Sequence, residues 1–262
     1  KWIHQFGADD FESMSNVSKK LREKLTLSAE IIEPEVLYRG DSKDGTRKWV
    51  IGVSGGNKVE MVLIPDGDRA TLCVSSQVGC ALDCSFCSTG KQGFNRNLTA
   101  AEIIGQLRIA IKSFGPVDPN GPRRVTNVVF MGMGEPFHNY QNLMQALEIL
   151  TDEHGFNFSQ RRITVSTSGL LPKIRRFGKE KIKANLAISL NGVTDDVRSK
   201  LMPVNIPYNL EKLIKVCREF PLESRRRITF EYILIRDLTD SIKDAKGLIS
   251  LLHGMKFKIN LI

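Results

Sequence analysis

Between Ala70 and Ile262 six short apolar runs alternate with stretches of helical periodicity, and this alternation constrains the fold more than any other feature. The runs are 70–77, 126–131, 162–167, 184–190, 228–235 and 257–262. Thr126–Met131 is nearly continuous in apolar residues, as a strand covered on both faces must be. Thr99 and Glu102 form a T-x-x-E capping box ahead of Ile103, Ile104, Leu107 and Ile111. Further helices are read at 139–154, stopped by Gly155, then at 194–201, 209–220 and 240–253, the last stopped by Gly254. Such repetition folds as a parallel sheet with right-handed crossovers. Eight units close a barrel. Six leave it open, so an α/β partial (β/α)6 barrel is expected over 67–262.

Upstream, residues 46–66 read as a β-hairpin: Arg47 to Val53, a Ser54-Gly55-Gly56-Asn57 turn, then Lys58 to Ile64. Val59, Met61 and Leu63 alternate with Lys58, Glu60 and Val62, which puts Glu60 on the more polar face. Residues 1–25 read as helical, with Asp9-Asp10 and Ser15 as start signals. Residues 1–45 are then the end of a small helical accessory domain with its linker. The stretch 113–124, rich in Gly and Pro, reads as a surface excursion. The chain opens at Lys1 without a methionine and stops inside an apolar run, so a fragment of a longer protein is expected.

A hydrophobic content of 41% and a charged content of 26% are ordinary for a soluble protein. No apolar stretch approaches the roughly 20 residues of a membrane helix, and no signal peptide opens the chain. A cytoplasmic protein without a membrane partner is expected. The net charge of +9, from 38 Lys+Arg against 29 Asp+Glu, favours a polyanionic partner. The basic residues cluster at Arg123-Arg124, Arg161-Arg162, Lys173 to Lys183 and Arg225-Arg226-Arg227. Each cluster alone reads as a solvated element end; together they favour RNA.

Cys73, Cys80, Cys84 and Cys87 all lie within 70–98, and the last three are spaced C-x3-C-x2-C. Three thiolates on one loop can wrap a compact metal centre. An iron–sulfur cube takes four thiolates, so three leave one iron open, as a catalytic zinc keeps an open position. A structural zinc with Cys73 as fourth ligand is the competing reading. Against it, there is no second cysteine knuckle, and His4, His138, His154 and His253 are scattered singly. A structural disulfide fits poorly with an odd cysteine count and no secretory segment. Cys217 shares an apolar face with Leu210, Leu213 and Ile214 and reads as a small buried hydrophobe.

In parallel α/β folds functional groups gather beyond the carboxyl ends of the strands. Here those ends yield the cysteine loop, Gly134-Glu135, Ser166 to Gly169, and Ser189-Leu190-Asn191. The set suits a polar nucleotide bearing an amino acid. Glycines permit close approach, and Glu135 could accept a hydrogen bond from a cofactor ammonium.

A C-x3-C-x2-C loop after the first strand is similar to the signature of radical S-adenosylmethionine enzymes. The wider wording, Cys-Val-Ser-Ser-Gln-Val-Gly-Cys-Ala-Leu-Asp-Cys-Ser-Phe-Cys-Ser-Thr-Gly followed by Gly-Phe-Asn-Arg-Asn-Leu, is more specific. It resembles bacterial dual-specificity methyltransferases that act on carbon 2 of adenine in 23S ribosomal RNA, at the peptidyl transferase centre, and in transfer RNA, next to the anticodon. The resemblance runs through nearly all of Lys1–Ile262 and implies a radical-SAM barrel with an RNA-holding accessory domain. It implies a [4Fe-4S] cluster on Cys80, Cys84 and Cys87. It places S-adenosylmethionine contacts on Gly134, Glu135, Ser166, Ser189, Leu190 and Asn191, the last standing where the family commonly has histidine. It assigns Glu60 as proton acceptor and Cys73 as the cysteine that releases product by forming a disulfide. The route it implies consumes two S-adenosylmethionine molecules and passes through a methylated cysteine that has no match in residues 1–262, so these residues are expected to bind cluster and cofactor without turning over. Carbon 2 is not nucleophilic, which is why radical chemistry is needed, and the base must leave its stack to be reached. An electron donor such as flavodoxin and a monomeric state are also expected. Two alternatives stand beside this: a related carbon-8 adenine methyltransferase, and a non-enzymatic RNA-binding module stabilised by a metal with four protein ligands.

Overall fold

The structure, a computed structural model, describes residues 1–118 and 120–262. The chain opens with one helical turn, α1 (Trp2–Gln5), and a short helix, α2 (Lys19–Ser28). An antiparallel meander follows: β1 (Glu35–Asp41), β2 (Arg47–Val53), β3 (Asn57–Asp66) and β4 (Arg69–Cys73). Next come β5 (Gln77–Gly79), a helical turn α3 (Ser88–Lys91) and β6 (Phe94–Asn97), with β5 and β6 paired in a ribbon of their own. From there helices and strands alternate: α4 (Ala100–Lys112), β7 (Asn127–Phe130), α5 (Tyr140–Thr151), β8 (Ile163–Thr167), α6 (Leu171–Lys179), β9 (Asn185–Ser189), α7 (Asp195–Leu201), α8 (Leu210–Glu219), β10 (Ile228–Tyr232), α9 (Ile242–Leu252) and β11 (Phe257–Leu261).

β4, β7, β8, β9, β10 and β11 pair in that order, all parallel. They correspond to the six apolar runs. The meander extends them into one nine-stranded sheet with β1 and β11 at its edges, so the barrel stays open among the described residues. The apolar faces behave as their period requires. Trp49 and Ile51 of β2 and Val59, Met61 and Leu63 of β3 are buried, which leaves Glu60 on the opposite face. The Thr99 box forms as read: Thr99 Oγ1 accepts from Glu102 N at 3.2 Å, and Thr99 N donates to Glu102 Oε2 at 2.9 Å. No helix among the described residues is long and apolar enough to cross a membrane.

Three expectations need correction. Residues 1–25 are not one helix. α2 starts from Ser18, whose hydroxyl accepts from Leu21 N, while Asp10 closes a turn on Ser13 N at 2.7 Å and Asp9 pairs with Arg108 of α4 at 3.0 Å. The run 70–77 is not one strand either: β4 ends at Cys73, and Ser76 N and Gln77 N turn to the Met133 carbonyl at 2.8 and 3.1 Å. Finally, β1 adds a third antiparallel strand to the hairpin.

Candidate active site

The cysteine loop is closed at its root by the β5–β6 ribbon. Gly79 has φ +73, and a Cβ there would lie 1.7 Å from the Gly93 carbonyl oxygen, so only glycine fits. Cys80 N donates to that same carbonyl at 2.9 Å. Ser85 N donates to Leu201 O at 2.9 Å and docks the loop on the end of α7. Gln77 ties the ribbon to the sheet: its Oε1 accepts from Glu135 N and its Nε2 donates to Asn97 Oδ1, each at 2.8 Å.

Cys80, Cys84 and Cys87 line one cleft together with Gly134 and Glu135 beyond β7, Ser166 and Ser168 at β8, Ser189 and Asn191 at β9, and Glu231 on β10. Its cavity volume is about 240 Å³, a little below the range of about 300–1,000 Å³ usual for drug-sized ligand sites. Gly134, with φ +96, passes so close to Gln77 that a Cβ would meet the glutamine Cβ at 2.4 Å. Glu135 is buried; its Oε1 accepts from Phe137 N at 3.0 Å and its Oε2 from Ser168 N at 2.8 Å. Burial pushes its carboxyl above the usual range despite those donors. Each oxygen keeps a second lone pair for a ligand. Asn191 holds φ +53, a conformation asparagine tolerates better than most residues. Its Oδ1 accepts from Ile233 N at 3.1 Å, and its Nδ2 faces Met202 Sδ at 3.5 Å.

Three sequence candidates lie outside the cleft lining. Leu190 is fully buried; its N donates to Glu231 O at 2.9 Å and its carbonyl accepts from Arg198 Nε at 3.0 Å. Glu60 extends its half-exposed carboxylate to Lys48 Nζ at 2.8 Å, while its carbonyl accepts from Ser75 Oγ. Cys73 sits at the end of β4 beside Val129 of β7, with its thiol pushed up to about 11 by burial.

The donor set fits an iron–sulfur cube held at three corners. Burial pushes the Cys80 thiol upward and the Cys84 thiol up to about 12, so a bound cation is what would draw off their protons. Among the described residues no three His, Cys, Asp or Glu side chains converge on a single-ion site. A tetrahedral zinc needs its sulfurs within about 4 Å of each other, and Cys73, its required fourth ligand, stands outside the cleft lining. All five cysteines are free thiols. Two residues, one lining the cleft and one beside it, escaped sequence reading. Glu231 carries a signal, a carboxylate inside an otherwise apolar strand; its Oε2 accepts from Asn260 Nδ2 at 2.8 Å. Arg198, outside the cleft lining, donates its guanidinium N–H groups to the carbonyls of Ser168, Ser189 and Leu190 and carries none, because it reads as one more helix arginine.

An open parallel barrel with three thiols and a ring of polar strand-end groups at one mouth defines the radical S-adenosylmethionine class of enzyme, and the model of the Radical SAM superfamily matches residues 74–249. A second model, the N-terminal domain of ribosomal RNA large subunit methyltransferases, matches residues 1–31. The dual-specificity RNA methyltransferase RlmN of Marinomonas sp. (strain MWYL1) is 56% identical over 267 residues, which span 100% of this chain and 71% of that protein. The protein of the same name from Pseudomonas fluorescens (strain SBW25) is 52% identical over 100% of this chain and 69% of its own length. The crystal structure of a radical SAM methyltransferase from Sphaerobacter thermophilus superposes with a TM-score of 0.91 at 42% identity, covering 99% of this chain and 75% of that one. The chain belongs to the RlmN family of dual-specificity RNA methyltransferases.

Proposed function

We propose that this protein methylates carbon 2 of adenine in ribosomal and transfer RNA, with its chemistry at the cleft beyond β4, β7, β8 and β9. The observation that carries the reading is the gathering of Cys80, Cys84 and Cys87 with Gly134, Glu135, Ser166, Ser189 and Asn191 around one cavity. When bound, the [4Fe-4S] cluster and S-adenosylmethionine supply one-electron chemistry and the methyl group. The three thiols hold the cluster. Glu135 receives a ligand ammonium on its spare lone pairs, and Gly134 lets the ligand lie against the backbone. Ser166, Ser189 and Asn191 hold its polar edges, and the Leu190 backbone fixes the spacing between the last two. Glu60, anchored to the mouth through its backbone and to Lys48 through its carboxylate, accepts a proton at the rim. Cys73 resolves the protein–RNA adduct: its sulfur bonds to the sulfur of the methyl-carrying cysteine as that sulfur's bond to carbon breaks, and a proton equivalent to the one the thiol loses goes to the released product, burial keeping the thiol protonated until then.

The net charge of +9 supports a polyanionic substrate. The reading also includes a small one-electron donor such as flavodoxin, a monomeric enzyme and a cytoplasmic location. Anaerobic reconstitution with iron and sulfide tests the centre. The expected result is a cluster spectrum that changes when S-adenosylmethionine is added, is lost in Cys84→Ala and is kept in Cys73→Ser. Loss of the metal in Cys73→Ser would instead show a four-ligand structural site. Mass spectrometry of digested RNA from cells lacking and regaining the gene then separates carbon 2 from carbon 8 methylation.

A further inference from the structure

Arg198 on α7 is fully buried, yet it forms no salt bridge among the described residues. Its partners are neutral oxygens. Nε donates to Leu190 O at 3.0 Å, Nη1 to Asn205 Oδ1 at 2.8 Å, and Nη2 to Ser168 O at 2.6 Å and Ser189 O at 3.2 Å. Three of these four acceptors are main-chain carbonyls at the ends of β8 and β9, the strand ends that line the cleft. A buried charge is costly unless paired or well hydrogen-bonded. Carbonyl dipoles meet part of that cost, and the rest calls for an anion nearby. The cysteine loop is docked on this same helix: Ser85, the residue after Cys84, donates its N–H to Leu201 O at 2.9 Å, three residues along α7 from Arg198. The space is tight, since a Cβ on Gly192 would meet the Arg198 backbone at 3.0 Å and one on Gly169 its Nη2 at 3.2 Å.

We propose that Arg198 is a positioning residue with two separable roles: its fork clamps the carbonyls of Ser168, Ser189 and Leu190, and its charge offsets the thiolates of the cysteine loop. The clamp sets the spacing of Ser189 and Asn191 toward the nucleotide ligand. The charge stabilises the more negative, reduced state of the centre, because a nearby cation favours electron uptake. Lysine reproduces the charge but not the planar fork, so the two roles can be told apart. The proposal rests on the reading of Cys80, Cys84 and Cys87 as cluster ligands.

The experiment compares reconstituted wild type, Arg198→Lys, Arg198→Met and Arg198→Gln. For each, iron content, cluster midpoint potential and the affinity for S-adenosylmethionine by calorimetry are measured, with circular dichroism as the check on folding. Arg198→Lys should keep a wild-type potential and bind the ligand about tenfold more weakly, the loss expected when one charge-assisted bond is broken. Arg198→Met should lose affinity and also shift the potential to more negative values. Arg198→Gln carries the potential comparison if the methionine variant does not fold. A neutral variant with wild-type potential overturns the charge role, and a lysine variant with wild-type affinity overturns the clamp. Failure of the wild type to take up a cluster would overturn the ligand reading, and this proposal with it.

Discussion

Glu102 ties three parts of the molecule together, and its replacement by glutamine tests that role. Its Oε1 accepts from Ser54 N in the hairpin turn at 2.9 Å and from Arg96 Nη2 at 2.8 Å. Its Oε2 accepts from Arg96 Nη1 and from Thr99 N, each at 2.9 Å. Burial alone would raise its carboxyl, but these donors outweigh it and hold the group at about 2, against an ordinary value of 4.5. The folded-state value lies below the unfolded one, so the stabilisation is complete above pH 4.5 and is lost as pH falls from there toward 2. That drop corresponds to at most about 3 kcal/mol. Arg96 is 26% exposed, and screening there reduces the figure to about 2 kcal/mol. Glutamine keeps one acceptor oxygen and turns an amide N–H₂ toward groups that already donate. Urea unfolding of wild type and Glu102→Gln should therefore show a gap of about 2 kcal/mol near neutral pH. The gap should shrink steadily below pH 4.5 as the wild-type carboxylate is protonated. A gap that is constant with pH, or absent near neutrality, refutes the electrostatic argument. Arg96 sits on β6, so the variant should also release iron at a lower temperature than wild type.

Gly79→Ala should leave the barrel's circular dichroism intact but abolish iron uptake on reconstitution, because its Cβ would collide with the Gly93 carbonyl that closes the cysteine loop. Asn191→Val puts a β-branched residue at φ +53 and removes the bond to Ile233 N. A stability loss of about 2–4 kcal/mol by thermal unfolding is expected, whereas Asn191→His should lose less than half as much. Cys217 is buried with its thiol pushed up to about 12 by burial, so iodoacetamide should label it only in denaturant. Cys217→Ala should cost about 1–2 kcal/mol and leave iron content unchanged.

The parallel strands were legible because both faces of each are covered, which turns a strand into an unbroken apolar run. β9 shows the result: the consecutive residues Leu186, Ala187 and Ile188, which point to alternate faces, are all buried. β1 was not legible for the opposite reason. None of its residues is fully buried, so no alternation is imposed on Glu35–Asp41 and only backbone pairing with β2 makes it a strand. The start of α2 was ambiguous because Asp9, Asp10, Ser15 and Ser18 are all competent caps. Tertiary partners decide among them, as when Arg108 takes Asp9. In the site, the cysteine spacing and the polar strand ends were visible as patterns. The inward turn of Leu190 and the pairing of Glu60 with Lys48 were not, since each depends on a partner distant in sequence.

An open barrel poses a physical problem at its mouth, because no closing strand pair holds the ends of β4 to β11 at fixed spacing. Polar side chains supply that restraint one interval at a time. Gln77 joins the β5–β6 ribbon to the end of β7 through Glu135 N. Glu135 joins β7 to β8 through Ser168 N. Arg198 joins β8 to β9 through Ser168, Ser189 and Leu190. Asn191 joins β9 to β10 through Ile233 N, and Glu231 joins β10 to β11 through Asn260. Gln77, Glu135, Arg198, Asn191 and Glu231 are all at least nine-tenths buried, so each bond forms where water competes weakly and its strength is high. Several of these residues also face the cleft, which couples the spacing of the strand ends to whatever the cleft holds. A ligand bridging the ends of β7 and β9 would tighten the restraints it spans, and loosening any one restraint would weaken that ligand most where it touches the two strands joined there.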